Sequence, residues 1–192
     1  MTAIIGRIPR QPVGRQRLID SARQLFAERG FHAVSLRELG QVVGMHPGSL
    51  YAHIESKDAL LQELIEDGYE RLIDSSLARL KKALPRTGLG IFLRNHLDFQ
   101  IVNPHWYALA STESRHLGRE AQEELSILKT DYALLLERLL QRRMGKRADP
   151  WRIATLARQA LRMLDGPPQG DGATLDDCVE DIEQLILNRL NR

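Results

Sequence analysis

The residues with the most chemistry in them crowd into one stretch, GMHPGSLYAHIESKD, from Gly44 to Asp58. It carries two glycines, a proline, two histidines, a tyrosine and one lysine between two longer apolar-periodic segments. These types suit recognition of a polyanion better than bond-making. Gly48 and Ser49 let the start of a helix come close to another surface. The Tyr51 hydroxyl can donate to a phosphate oxygen. Lys57 opens the following helix, where its charge and the helix N-terminal dipole both favour phosphate. Two short helices joined by a tight glycine turn and held by a preceding helix form a helix-turn-helix. The second helix of such a unit enters the DNA major groove with its first residues against base edges.

Catalytic chemistry finds little to work with. His96, His105 and His116 have neither HxxxH nor HExxH spacing, and no carboxylate stands in register beside them. Cys178 is the single cysteine, far in sequence from every histidine. There is no glycine-rich phosphate loop and no GxSxG. The chain is read as no enzyme, with no metal and no cofactor.

The elements that must position the stretch follow from caps and breaks. Leu18, Ala22, Leu25 and Phe26 recur at helical spacing from about Gly14 to Arg29, and Gly30 stops that helix. Ser35 with Glu38 three residues on reads as a capping box, opening a helix that Gly44 ends. Pro47 suits the first turn of the next helix, and Ser56 caps a fourth. That fourth helix keeps an apolar stripe from Leu60 to Leu80 and runs towards Pro85, long enough to bridge two lobes. Gly68 inside it suggests close packing. Breaks at 85–90, Asn103-Pro104, Gly118, 145–150 and 165–172 leave helical segments near 89–103, 119–144, 150–164 and 174–190. No strand signal appears. The expected fold is all-α with about nine helices: a basic arm over 1–13, a helix-turn-helix domain over 14–57 and a C-terminal helical domain over 58–192.

Residues 18–65 closely resemble the DNA-binding domain of the TetR family of bacterial transcription regulators. The resemblance is carried by LIDSARQLFAERGFHAVSLRELGQVVGMHPGSLYAHIESKDALLQELI: a helix ending Arg-Gly-Phe, then Ser-Leu-Arg-Glu-Leu, Gly-Ser-Leu-Tyr-x-His and Ser-Lys-Asp-x-Leu. Position by position, it implies that Ser35 and Arg37 face DNA, with Arg37 able to read a guanine bidentately. Pro47, Gly48 and Ser49 fall at base-contacting positions. Tyr51, His53 and Lys57 fall at phosphate-contacting ones, which fix register rather than sequence. Two departures stand out. His46 replaces a capping serine, leaving a weaker cap and an imidazole free for a base, and Ile54 replaces a phenylalanine in the core. Blander readings stay open: Ser35 as a cap alone, His53 packed between helices, Tyr51 in the core. Arg7, Arg10, Arg15 and Arg17 read either as an arm for the minor groove or as a solvated tail.

The resemblance also implies a homodimer paired through the last two long helices. Trp151, Leu156, Leu161, Leu175, Val179, Ile182, Leu185 and Ile186 are the candidate interface; the same stripes could instead face the protomer core. It implies an effector site in the C-terminal lobe, where His96, Phe99, Gln100, Asn103, Trp106, Tyr107 and His116 give the densest aromatic and polar mixture. His105 and Ser111 lie in the same stretch. The expected partners are double-stranded operator DNA, an unknown small-molecule effector and a second copy of the chain. The expected role is a regulator, most simply a repressor, that the effector releases. The competing role is a helical ligand-binding or protein-interaction module that kept the fold without regulating a promoter.

Composition agrees. Apolar residues make up 43% of the 192 and charged residues 27%, ordinary for a globular protein. Residues 1–57 carry eight Lys/Arg against four Asp/Glu, and residues 58–192 carry 19 against 21, so positive charge gathers at the N-terminal end. One cysteine suits a reducing cytoplasm. No apolar run approaches the roughly 18 residues of a membrane span, and the basic N-terminus lacks the apolar core of a secretory signal.

Overall fold

A computed structural model describes residues 13–145, 149–164 and 174–190. Their regular structure is entirely helical, with no strand among the described residues. The arm residues 1–12, with Arg7 and Arg10, lie outside the described residues, as do 165–172. The helices are α1 (Val13–Arg29), α2 (Leu36–Val43), α3 (Pro47–Tyr51), α4 (Lys57–Leu80), α5 (Gly88–Val102), α6 (Pro104–Ala108), α7 (Arg119–Met144), α8 (Pro150–Met163) and α9 (Leu175–Leu190). Arg15 and Arg17 belong to α1 rather than to a loose arm, and Arg15 pairs with Glu63 of α4 at 2.6 Å.

Local chemistry sets most of these boundaries. Ser35 Oγ accepts from the Glu38 N–H at 3.1 Å, and Ser56 Oγ accepts from the Ala59 N–H at 2.9 Å, each satisfying a donor that a helix start leaves free. Only half of the expected capping box forms. The Glu38 carboxylate turns instead to Arg29 at the end of α1, 2.5 Å away, because an ion pair between helices competes with the reach back to Ser35.

The breaks in the sequence leave 104–118 outside any expected helix. It is helical nearly throughout: α6, then a π turn over Leu109–Glu113 and a 3-10 turn over Ser114–His116. Ser111 and Thr112 hydroxyls donate to the carbonyls of Tyr107 and Ala108, a back-bonding that goes with a widened turn.

One continuous apolar core runs from Leu18 and Phe26 of α1 through Leu61 and Ile65 of α4 to Ile186 and Leu190 of α9. Helix α4, 24 residues and thus about 36 Å long, contributes to both ends of it. Trp106 of α6 lies against Gly68 of α4, where a Cβ would overlap its indole. That close approach is the reason for a glycine in the middle of a long helix.

Candidate functional site

The helix-turn-helix is built by the chain between Ser35 and Lys57. Gly44 ends α2 in the left-handed conformation (φ +72°), and the Met45 N–H donates back to the Gly40 carbonyl at 2.8 Å while the Gly44 N–H donates to Gln41 at 3.2 Å. This is a Schellman closure, which satisfies two end carbonyls and turns the chain sharply. Gly40 keeps the turn tight, since a Cβ there would stand 3.2 Å from the Met45 carbonyl oxygen. Pro47 then opens α3, and His46 before it makes no side-chain cap. Leu39, Val43, Leu50 and Ile54 are buried beneath.

What remains outside is polar and small. Ser35, Arg37, His46, Pro47, Gly48 and Ser49 are exposed. Tyr51 is 60% exposed, against the reading that buries it. The side chains of Arg37, His46 and Tyr51 make no hydrogen bond or ion pair with any described residue. His53 is half-buried. Lys57 stands at the first turn of α4 with its Nζ 4.2 Å from the Phe31 ring centroid and 5.8 Å from that of Phe26. Partial burial there lowers its pKa below the ordinary lysine value, with Asp58 opposing the shift.

Phe31 is also where the N-terminal helices meet the turns that follow α6. Its backbone N–H donates to Glu113 Oε2 at 3.0 Å, and its ring stacks on His116 with centroids 6.2 Å apart. His32 Nε2 and His116 Nδ1 share a hydrogen bond at 2.9 Å. His105 of α6 faces Glu28 of α1 at 3.8 Å. Sequence reasoning missed this joint. Glu113 and Phe31 are 82 residues apart, and no local signal pairs them.

The C-terminal helices enclose a cavity of about 600 Å³ walled by α4 to α8 and the π turn. Of the residues expected at an effector site, His96, Gln100, Trp106 and Tyr107 line it, as does Ser111. The other three do not. Phe99 packs edge-on against Trp106, Asn103 accepts from Arg71 Nη2 at 2.7 Å, and His116 is taken by His32. Tyr69, Leu72, Lys129, Tyr132, Glu137, Arg158 and Arg162 complete much of the wall and were not anticipated.

The buried floor is a chain of neutral groups. The Gln100 Nε2 donates to the Leu164 carbonyl and to His96 Nε2, both at 2.8 Å. His96 Nδ1 must then carry the ring proton and donates to the Tyr132 hydroxyl at 2.9 Å. Burial lowers the His96 pKa to about 4, partly offset by its hydrogen-bonded surroundings at Leu164, so the ring is uncharged at neutral pH. Burial likewise raises that of Tyr132.

The candidate interface residues divide. Trp151 is 73% and Leu185 53% exposed. Leu156 and Ile186 are buried inside the protomer, and Leu175, Val179 and Ile182 are half-buried against its core. Leu161 lines the cavity.

Residues 18–64 match the family described as "Bacterial regulatory proteins, tetR family". Over these residues the chain is similar to the DNA-binding domain of TetR family regulators. Among similar proteins, the HTH-type transcriptional regulator UidR of Escherichia coli (strain K12) is 37% identical over 70 residues, 36% of this chain and 34% of that protein. The HTH-type transcriptional repressor KstR2 of Mycolicibacterium smegmatis is 32% identical over 82 residues, 38% and 40% of the two chains. The chain thus matches little more than a third of the length of these curated relatives. Beyond the N-terminal domain the likeness is one of fold. The crystal structure of the TetR family transcriptional regulator PfmR from Thermus thermophilus superposes with a TM-score of 0.76 at 24% identity, covering 92% of this chain and all of that one.

Proposed function

We propose that the protein is a transcriptional regulator, most simply a repressor, that binds a near-palindromic operator as a homodimer. The observation that carries this reading is the exposed, unpartnered polar face of α2 and α3, with Arg37 and Tyr51 at its two ends, inside a domain of the TetR family. Arg37 reads a base edge; Pro47, Gly48 and Ser49 allow α3 into the groove. Ser35, Tyr51, His53 and Lys57 hold phosphates, and His46 sits free beside a base. Some relatives, KstR2 among them, are named repressors. The two copies pair through α8 and α9, where Trp151 and Leu185 offer exposed apolar surface. No helix among the described residues is long and apolar enough to cross a membrane, and a cytoplasmic site of action fits the role.

A small-molecule effector occupies the cavity and releases the DNA. Tyr69 and Leu72 of α4 form part of its wall, and Glu113 at the end of the π turn holds the backbone of Phe31. A ligand that shifts α4 or α6 therefore moves the support of the helix-turn-helix, changing the separation of the two recognition helices. A coupling of about 1–3 kcal/mol between the sites is sufficient.

Neutral replacements test the reading. Arg37→Ala should weaken operator binding by about 1–3 kcal/mol per half-site and relax preference at one base position in each. Lys57→Met should flatten the dependence of log K on log salt by about two for a dimer, one phosphate per half-site. If both variants bind DNA like the wild type, the reading gives way to the ligand-binding or interaction module.

A further inference from the structure

The cavity wall specifies the kind of molecule that fits it. Gln100 is 4% exposed and lines the cavity. Its Nε2 is fully used by Leu164 and His96, while its Oε1 is buried with no hydrogen-bond partner. A buried acceptor left so is costly, and a donor brought to it recovers that cost. The orientation of the amide is fixed, because only a donor can face the Leu164 carbonyl. Around it the floor holds no charge: His96 is a neutral ring already engaged at both nitrogens, and Tyr132 a neutral phenol. The group that enters must therefore donate and be uncharged, as a hydroxyl or amide N–H does.

The mouth has the opposite character. Lys129, Arg158 and Arg162 lie on its wall with Glu137 as the one carboxylate among the described lining residues. None of the three cations forms an ion pair with a described residue; Lys129 leans on the Tyr69 ring at 5.8 Å and Arg158 reaches Thr155 at 3.5 Å. The excess of positive charge continues outward. A neighbouring groove shares Ser114, Ser126 and Lys129 with the cavity and adds Arg115. The rest of the lining is mainly aromatic and aliphatic, interrupted by the hydroxyl residues Ser111, Ser114, Ser126 and Thr130.

We propose that the effector is an amphipathic anion, with an apolar body whose buried end carries a neutral hydrogen-bond donor for Gln100 Oε1 and whose outer end carries an anionic group met by Lys129, Arg158 and Arg162. This rests on the reading of the cavity as the effector site.

The test is calorimetric titration of the full chain with four probes of one apolar length: 12-hydroxydodecanoate, dodecanoate, 1,12-dodecanediol and 12-aminododecan-1-ol. The hydroxy acid binds tightest. Removing the hydroxyl weakens binding about tenfold, the worth of one buried hydrogen bond. Removing the carboxylate weakens it by a similar factor and abolishes its salt dependence, and the amino alcohol binds worst. In Gln100→Leu the preference for the hydroxy acid over the plain acid collapses, and in Lys129→Ser/Arg162→Ser the preference for acid over diol collapses. Ala133→Trp, which fills the cavity, removes binding of all four. The wild-type series decides even where a variant fails to fold. The proposal is overturned if the plain acid equals the hydroxy acid, if the diol or amino alcohol equals or exceeds it, if none of the four binds, or if Ala133→Trp leaves binding intact. Adding the same probes to an operator complex separates the two readings. A cationic or neutral probe that releases DNA sinks the ligand class and keeps the effector site. A hydroxy acid that binds as expected and leaves the complex untouched keeps the ligand class and sinks the regulatory role.

Discussion

Adding a single methyl group at Gly68 gives a demanding check on how α4 and α6 are locked together. On an isolated helix, alanine is favoured over glycine by about 1 kcal/mol. Here the added Cβ would overlap Nε1, Cδ1 and Cε2 of Trp106. That indole cannot swing aside cheaply. It is 4% exposed, its N–H donates to the Ile65 carbonyl at 3.0 Å, and Tyr69 and Phe99 pack edge-on against it, each with centroids 5.2 Å away. Overpacking that neighbours can absorb costs about 1–3 kcal/mol, whereas expelling a buried tryptophan costs about 3–5 kcal/mol. With the ring held on three sides the second figure governs, and after the helix gain Gly68→Ala should lose about 2–4 kcal/mol. Urea unfolding of the purified variant reads this directly. The same substitution in a Trp106→Ala background should be neutral or stabilising, because the space is then free and only helix propensity acts. If Gly68→Ala matches or exceeds wild-type stability while Trp106 is present, the close packing of α4 on α6 is refuted. The account of the cavity goes with it, since Trp106 is part of its wall.

Other perturbations have equally definite outcomes. Gly44→Ala puts a side chain at φ +72° with no steric contact within 4 Å, so the cost is backbone strain alone, about 1–2 kcal/mol; Gly44→Asn should cost less, as asparagine tolerates that conformation. His96 holds its pKa at about 4, below the ordinary 6.5, so the unfolded chain takes up a proton that the native state refuses. Its contribution to stability is complete above pH 6.5 and falls away towards pH 4 by about 3 kcal/mol, at roughly 1.4 kcal/mol per unit. The difference between wild type and His96→Gln in chemical unfolding at stepped pH should carry that slope. Glu113→Ala removes the acceptor for the Phe31 N–H and should weaken effector-driven release by about 0.5–2 kcal/mol, with operator affinity in the absence of effector little changed.

The parts of the molecule legible in the sequence are those whose causes are local. Ser35, Gly44, Pro47 and Ser56 act within a few residues, and they bound α2, α3 and the start of α4 where expected. Helix α7 begins after Gly118 and ends before Gly145, as its glycines imply. What could not be read depends on partners distant in sequence. The turns over 109–116 are tied to Phe31 and His32, more than eighty residues earlier. Aromatic and polar residues share the 96–116 stretch, but composition does not tell a wall from a joint. Phe99 supports Trp106, Asn103 holds Arg71 and His116 meets His32, while Lys129, Arg158 and Arg162 reach the cavity from α7 and α8. An amphipathic stripe is equally silent on whether it faces its own core or a second copy. Leu156 and Ile186 face inward, whereas Trp151 and Leu185, on the same two helices, face out.

The most direct measurement is an in-vitro selection of random duplex DNA by the purified full chain, with the enriched site titrated across salt. A two-fold symmetric site with half-sites about one helical turn apart, bound by two copies and weakened steeply by rising salt, is the predicted result. Arg37→Ala should bind that site more weakly and accept other bases at one position of each half-site. A chain that enriches nothing, or enriches a site whose affinity is indifferent to Arg37 and Lys57, would contradict the assignment of α2 and α3 to operator recognition.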